Sequence, residues 1–173
     1  MSSEVLEKRP AAYLDLIKSV FLQPRALFEG ISGGREEWRR SLILALAAIM
    51  VNSIVSLAVK GGVGNSLQLA VYLAVLIAVY TLILHFLGRW LLQAEGVSLT
   101  TSSTAMNYAM LLAAFVSIPM VGVAALIYFL YLIFLAAQAL YRATAGRAVV
   151  TVALLLLAAL VFETFLSLFG LFD

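Results

Sequence analysis

The chain has 173 residues, 64% of them hydrophobic and only 12% charged, with a mean hydropathy of +1.08. A soluble domain carries about 25% charged residues, so a bilayer is the expected solvent for most of this chain. With no cysteine and one histidine, His85, disulfides, iron–sulfur clusters, thiol catalysis and multi-histidine metal or haem sites are excluded.

Residues 1–40 read as a cytoplasmic, amphipathic N-terminal segment. It opens with "MSSEVLEKRPAA", which is polar and has no apolar stretch of the signal-peptide kind. In "YLDLIKSVFLQPRALFEGI" charges recur too often for a membrane span. Leu14, Ile17 and Phe21, then Leu27 and Phe28, recur at roughly helical spacing, with Asp15, Lys18 and Arg25 away from them. This predicts an amphipathic helix from about residue 11 to Leu22, a break, and a short second helix opened by Pro24 and closed near Glu29. Such a pair either braces the bundle from the membrane surface or docks a cytoplasmic partner through Leu14, Ile17, Phe21 and Phe28. "REEWRR" (35–40) reads as a salt-bridged juxtamembrane turn whose basic end touches anionic headgroups.

Residues 41–173 read as a transmembrane bundle. A helix needs about 20 apolar residues to cross a core of about 30 Å. The apolar runs predict five spans, at 41–59, 67–87, 104–118, 121–141 and 149–172. "KGGVGNS" separates the first two and "QAEGVSLTTSST" the second and third. The run from Ala105 to Leu140 would make a single helix of about 54 Å, so a hairpin is expected, turning at Pro119 and Gly122. Lys and Arg then set the orientation. Lys8, Arg9, Lys18, Arg25, Arg35, Arg39, Arg40, Arg89, Arg142 and Arg147 fall on one side, and Lys60 alone on the other. The expected fold is therefore an all-α membrane protein of five transmembrane helices, N-terminus inside and C-terminus outside, preceded by the amphipathic helix pair. Trp38, Trp90 and Tyr141 fall at the same cytoplasmic interface.

Ala45, Ala48, Asn52 and Ser56 share a face of the first span, and Ala105, Ala109, Ala113 and Ser117 a face of the third. Small residues let helices approach closely in lipid, so both spans are expected inside the bundle. Phe162, Phe165, Phe169 and Phe172 recur at helical spacing on the fifth span, facing lipid or a second subunit.

Intramembrane polar groups are the first places to seek function. Glu163 lies about 24 Å from Arg147, and Ser56 and Tyr72 lie at a similar depth on their own spans. Tyr128 is slightly shallower, and Lys60 is one turn further out. Glu163, Ser56, Tyr72 and Lys60 thus form a candidate polar cluster. It reads either as a clasp fixing helix register or as a proton or cation site. A conducting path needs titratable groups right across the bilayer. The inner half supplies Asn52, Asn107, Tyr108, Gln138 and His85, with no acid.

No phosphate-binding glycine loop, nucleophile elbow or zinc-protease motif is present. No catalytic, cofactor-binding or metal-ligating residue is assigned, and no enzymatic activity is expected. Six acids, Glu4, Glu7, Asp15, Glu29, Glu36 and Glu37, balance the basic N-terminus and argue against nucleic-acid binding.

Phe21, Pro24 and Phe28 form an F-x-x-P-x-x-x-F element ahead of two spans. A polar linker with Gly96 follows, then a third span with "NYA" at Tyr108 reaching Pro119. An aromatic fourth span, "IYFLYLIF", a short basic loop ending in "GRA", and a fifth span complete the pattern. In order and spacing this resembles the Ypt-interacting-protein (Yip) family of five-span membrane proteins, in its prokaryotic branch. The resemblance implies the five-span, N-in fold, and in eukaryotic relatives it implies binding of a cytoplasmic small GTPase. The leading expectation is a non-enzymatic scaffold or adaptor in a prokaryotic cell membrane. Its partners would be lipids, other integral membrane proteins or further copies of itself. The alternatives are an accessory subunit, without redox centre, of a respiratory or transport complex, and a small ion- or proton-coupled transporter using Glu163.

Overall fold

The computed structural model describes the backbone of residues 3–168, apart from 61, 93 and 95. Side chains are described within 13–165, apart from 60, 61, 93, 95 and 163. Every regular element among these residues is helical. In chain order they are α1 (Ser3–Leu22), α2 (Pro24–Glu29), α3 (Arg35–Lys60), α4 (Val63–Trp90), α5 (Leu99–Ala109), a 3-10 segment (Met110–Phe115), α6 (Val121–Tyr141) and α7 (Ala145–Leu168).

Four helices are long and apolar enough to cross a membrane: Arg35–Val59, Val63–Trp90, Val121–Tyr141 and Ala145–Phe162. They expose Ile54, Leu67, Ile127 and Leu160 at 61–66% of their surface, far more apolar area than a water-soluble monomer tolerates. Arg39, Arg40, Arg89, Arg142 and Arg147 mark one end of this bundle, here called the basic end. Trp38 and Ser103 meet at that end, as do His85, Ser102 and Tyr141.

Several boundaries differ from the sequence expectation. "REEWRR" is not a separate turn but the first turns of α3, where Glu36 and Glu37 suit the helix dipole. Arg40 pairs with Glu36 there, and Ser32 donates from both N and Oγ to Glu37. Most of "KGGVGNS" is helical, because α3 runs to Lys60 and Val63 already opens α4, with Gly62 at a positive φ before it.

The predicted third span, 104–118, is built differently from the other four. Ser98 caps α5, its Oγ accepting from the Thr101 N–H, so the helix begins before the apolar run. It tightens to 3-10 geometry at Met110. At 1.5 and then 2.0 Å per residue the two pieces together reach about 28 Å. Every residue from Thr104 to Ala113 is buried, so this segment lies inside the bundle rather than at its lipid edge. The chain then reverses at Pro119, with Met120 at φ 66° and the Gly122 N–H donating to Ile118. A side chain at Gly122 would collide with the Val116 carbonyl. α6 packs back on the 3-10 segment, which is the hairpin expected from Pro119 and Gly122.

The helix pair ahead of α3 forms, with Pro24 at its expected place in the first turn of α2, although α1 begins at Ser3 rather than near residue 11. α3 packs on α4, α5 and the 3-10 segment, α6 packs on α7, and α2 packs on α6. Both small-residue stripes are interior: Ala45, Ala48, Asn52 and Ser56, and Ala105, Ala109, Ala113 and Ser117, are all buried.

Candidate functional site

Polar side chains inside the bundle meet at three levels. At the basic end, His85 Nδ1 lies 3.1 Å from Ser102 Oγ, which lies 2.6 Å from the Tyr141 hydroxyl. Ser102 also reaches the Ser98 carbonyl at 3.2 Å. If Ser102 gives its proton to that carbonyl, Tyr141 donates to Ser102 and each group is satisfied. The Tyr141 ring fits only because residue 88 is glycine; a Cβ there would overlap the ring.

At the same end Trp38 Nε1 donates to Ser103 at 3.0 Å, and one level in Asn107 Nδ2 donates to Ser41 Oγ at 3.1 Å. Ser41 passes its own proton to the Trp38 carbonyl at 2.8 Å. Deeper still, Asn52 Oδ1 accepts from the Ser117 N–H at 3.0 Å, tying α3 to the turn before Pro119. That N–H lies where 3-10 pairing is ending, so the asparagine satisfies a buried backbone donor.

The fourth contact joins the N-terminal segment to the bundle. The Tyr128 hydroxyl lies 3.1 Å from both the Val20 and Phe21 carbonyls. Phe21 stacks on the Tyr128 ring at 6.1 Å between centroids and meets Phe115 edge-on at 6.5 Å. Tyr128 lies about 20 Å along α6 from Tyr141, at 1.5 Å per residue. The α1–α2 junction therefore sits well down the flank of the bundle. Residues 30–34 then return the chain to the basic end, where Gly33 lies against Thr101.

These positions revise the expected sites. Tyr128 gives its hydroxyl to α1. Ser56 is buried, while Tyr72 is half-buried and lines a cavity with Tyr80 and Phe129 that Ser56 does not reach. The side chains of Lys60 and Glu163 lie outside the described residues, as do Phe169 and Phe172. Of the candidate docking residues, Leu14 is exposed and Ile17 half-buried. Phe21 is 40% exposed but held against Tyr128. Phe28 is fully buried beneath α2, which removes it from any docking face. The pairs Arg25–Glu29 and Lys18–Asp15 are solvent-screened surface pairs and contribute little.

Three cavities accompany these contacts, one of 340 Å³ being lined by Phe21, Phe115 and Tyr128 where α1 meets α6. A largely apolar groove of 470 Å³ lies between α3, α4 and α5, with Trp38 and Leu99 near its mouth and Thr81 and Asn107 on its wall. A smaller one, of 200 Å³, lies between α4, the 3-10 segment, α6 and α7. Among the described residues no three His, Cys, Asp or Glu side chains cluster to hold a metal. Sequence reasoning missed the Ser102–Tyr141 and Asn52–Ser117 pairs, whose partners lie 39 and 65 positions apart. The one available signal for the Tyr128 contact was Pro24, which deprives a carbonyl in α1 of its helical donor. The chain matches no protein-family model, no curated protein and no solved structure.

Proposed function

We infer that this is a five-crossing membrane protein of prokaryotic, Yip-like type that works as a non-enzymatic scaffold. Its crossings are α3, α4, α5 with the 3-10 segment, α6 and α7, with the basic end in the cytoplasm and the C-terminus outside. α1 and α2 form a hairpin against α6, with Lys18, Arg25 and Glu29 on its exposed side. The protein acts through partners in the membrane or further copies of itself. A cytoplasmic small GTPase would have to read the exposed part of α1 around Leu14.

What supports this reading is how the buried polar groups are used. Asn52, Asn107, Ser102 and Tyr128 each tie one segment to another, at separate levels, and they do not line up as a path. That is the arrangement of a rigid frame. Purification of the tagged protein in mild detergent, with mass spectrometry of stoichiometric partners, tests it. Recovery alone, as a homo-oligomer, or with one defined partner agrees with a scaffold. Stoichiometric recovery inside a large respiratory or transport complex replaces it with the accessory-subunit reading. Proteoliposome flux tests the transporter reading. The scaffold predicts no pH-driven flux in either wild type or Glu163→Gln; flux lost on that substitution overturns it.

A further inference from the structure

Among the described residues, one flank of the bundle differs from the rest. Along α3, α4 and α7, every exposed residue within 41–54, 74–86 and 149–160 is apolar, Leu46, Met50, Phe86 and Leu157 among them. On α6 no residue from Leu132 to Tyr141 is exposed, whereas Val121, Val123, Leu126, Ile127 and Tyr131 are. α2 packs on α6, and the α1–α2 junction meets Tyr128. The hairpin thus supplies the outer surface over the basic-end half of α6. That surface is charged: Asp15, Lys18, Arg25 and Glu29 leave 53–75% of their side chains open.

These charges sit deep. Tyr128 is about 20 Å along α6 from Tyr141, past the middle of a hydrocarbon core of about 30 Å. Lys18 is two residues before Val20 and Arg25 four after Phe21, so both lie close to the Tyr128 contact. Reaching back by about one helical turn does not bring either head to the interface. A charge facing hydrocarbon at that depth is costly, so lipid does not meet this flank. Nor is there a net charge for an oppositely charged partner to neutralise. Arg25 Nε meets Glu29 Oε1 at 2.9 Å and Lys18 Nζ meets Asp15 Oδ1 at 4.0 Å, each within its own helix, and the four charges sum to zero. Ion pairs of this spacing are the pattern of a solvated helix face.

We propose that water from the cytoplasmic side covers the α1–α2 flank to beyond the bilayer midplane, in a recess that the hairpin holds open. Its inner end is closed by apolar side chains: the 340 Å³ cavity beyond the junction is lined by Phe21, Phe115, Val121 and Ala124. The recess is therefore blind. It thins the apolar barrier on this one flank from about 30 Å to roughly 10 Å. It also gives the scaffold a wet surface at a depth where its other flanks meet lipid. The proposal rests on the membrane placement above and on no protein partner.

The test uses the full chain, which has no native cysteine, in phosphatidylcholine nanodiscs. A nitroxide on Ala26→Cys, an exposed position of α2, reports collisions with a water-soluble nickel chelate and with oxygen, which concentrates in lipid. Gln23→Cys, exposed at the junction, gives a second reading. Met50→Cys and Leu157→Cys, each about 15 Å along its helix from Arg40 or Arg147, are the lipid-facing controls. Chelate collisions should dominate at Ala26 and Gln23, as at Gly146→Cys on the basic end, and oxygen collisions at Met50 and Leu157. Replacing the ion pair, Arg25→Leu with Glu29→Leu, should move the Ala26 reading towards that of Met50. Oxygen dominating at Ala26 in the otherwise unaltered chain puts lipid on the flank and overturns the proposal. Low collision with both reagents puts protein there, a second copy included, and also overturns it. An unchanged reading in the leucine variant shows that the charges do not hold the water. Chelate collisions at Met50 and Leu157 as well would remove the membrane placement itself, whereas the other failures remove only the recess.

Discussion

The Tyr128 hydroxyl donates to the carbonyl oxygen of Val20 at 3.1 Å. In a continuous helix that carbonyl would pair with the N–H of residue 24, and Pro24 has none. The break that lets the chain reverse between α1 and α2 thus creates an orphan acceptor, and α6 supplies the donor. The same hydroxyl reaches the Phe21 carbonyl, and the Phe21 ring covers the pair by stacking on Tyr128. The acceptors that the break leaves without a helical donor are thus satisfied by one side chain.

Tyr128→Phe keeps the stack and removes the donor. We expect a loss of about 1–3 kcal/mol, confined to the docking of α1 and α2. Hydrogen exchange over residues 13–29 should quicken, with protection of α3 and α6 unchanged. Exchange at wild-type rates in that segment would mean the hydroxyl does not hold it.

Gly88→Ala places a methyl group inside the Tyr141 ring and must push α4 from α6. Overpacking of this kind costs about 1–3 kcal/mol. The midpoint of unfolding in denaturing detergent should fall accordingly. Tyr141→Leu in the same background should recover part of the loss by vacating the space. An unaltered midpoint in Gly88→Ala would show that the helices are not in contact there.

Asn52→Leu leaves the Ser117 N–H buried without an acceptor. A cost of about 1–3 kcal/mol is expected, larger than for Ser53→Ala, whose hydroxyl merely bonds its own helix at Ile49. Thermal unfolding of the two variants side by side gives the comparison, and equal midpoints would contradict it.

The chain has no cysteine, so single introduced cysteines report topology cleanly. Gly64, Gly96 and Gly146 all have open space where a side chain would go. A membrane-impermeant maleimide should label Gly64→Cys from outside intact cells. Gly96→Cys and Gly146→Cys should react only after the cells are opened. Labelling of Gly96→Cys and Gly64→Cys from the same side would remove the crossing made by α4.

Much of the architecture was legible along the chain. The runs bounded by Arg40, Arg89, Arg142 and Arg147 mark helices whose outer surfaces are apolar, and hydropathy is a property of each residue read locally. The Ala45–Ala48–Asn52–Ser56 and Ala105–Ala109–Ala113–Ser117 stripes marked the interior faces, because close helix approach needs small side chains wherever it occurs. Pro119 marked the reversal for the equally local reason that it lacks an N–H and restricts the residue before it. Segment 104–118 was harder to read. Its tightening to 3-10 geometry at Met110 and the burial of Thr104 to Ala113 depend on α3, α4 and α6 closing around it, and periodicity does not distinguish an outward-facing leucine from a buried one.

The amino-acid sequence by itself thus determined which segments are helical, that the chain reverses at Pro119 and which end carries the arginines. Each of those rests on local sterics, hydropathy or charge. Only the tertiary structure decided what each polar side chain is for. It turned Tyr128 from a hydroxyl near Glu163 into the donor for Val20, put Phe28 under α2 instead of on a docking face, and left Thr81 and Asn107 unsatisfied on the wall of one groove. Those outcomes depend on which atoms from distant parts of the chain come within about 3 Å of one another, and a hydrogen bond has no signature in either partner's neighbourhood until the helices have packed.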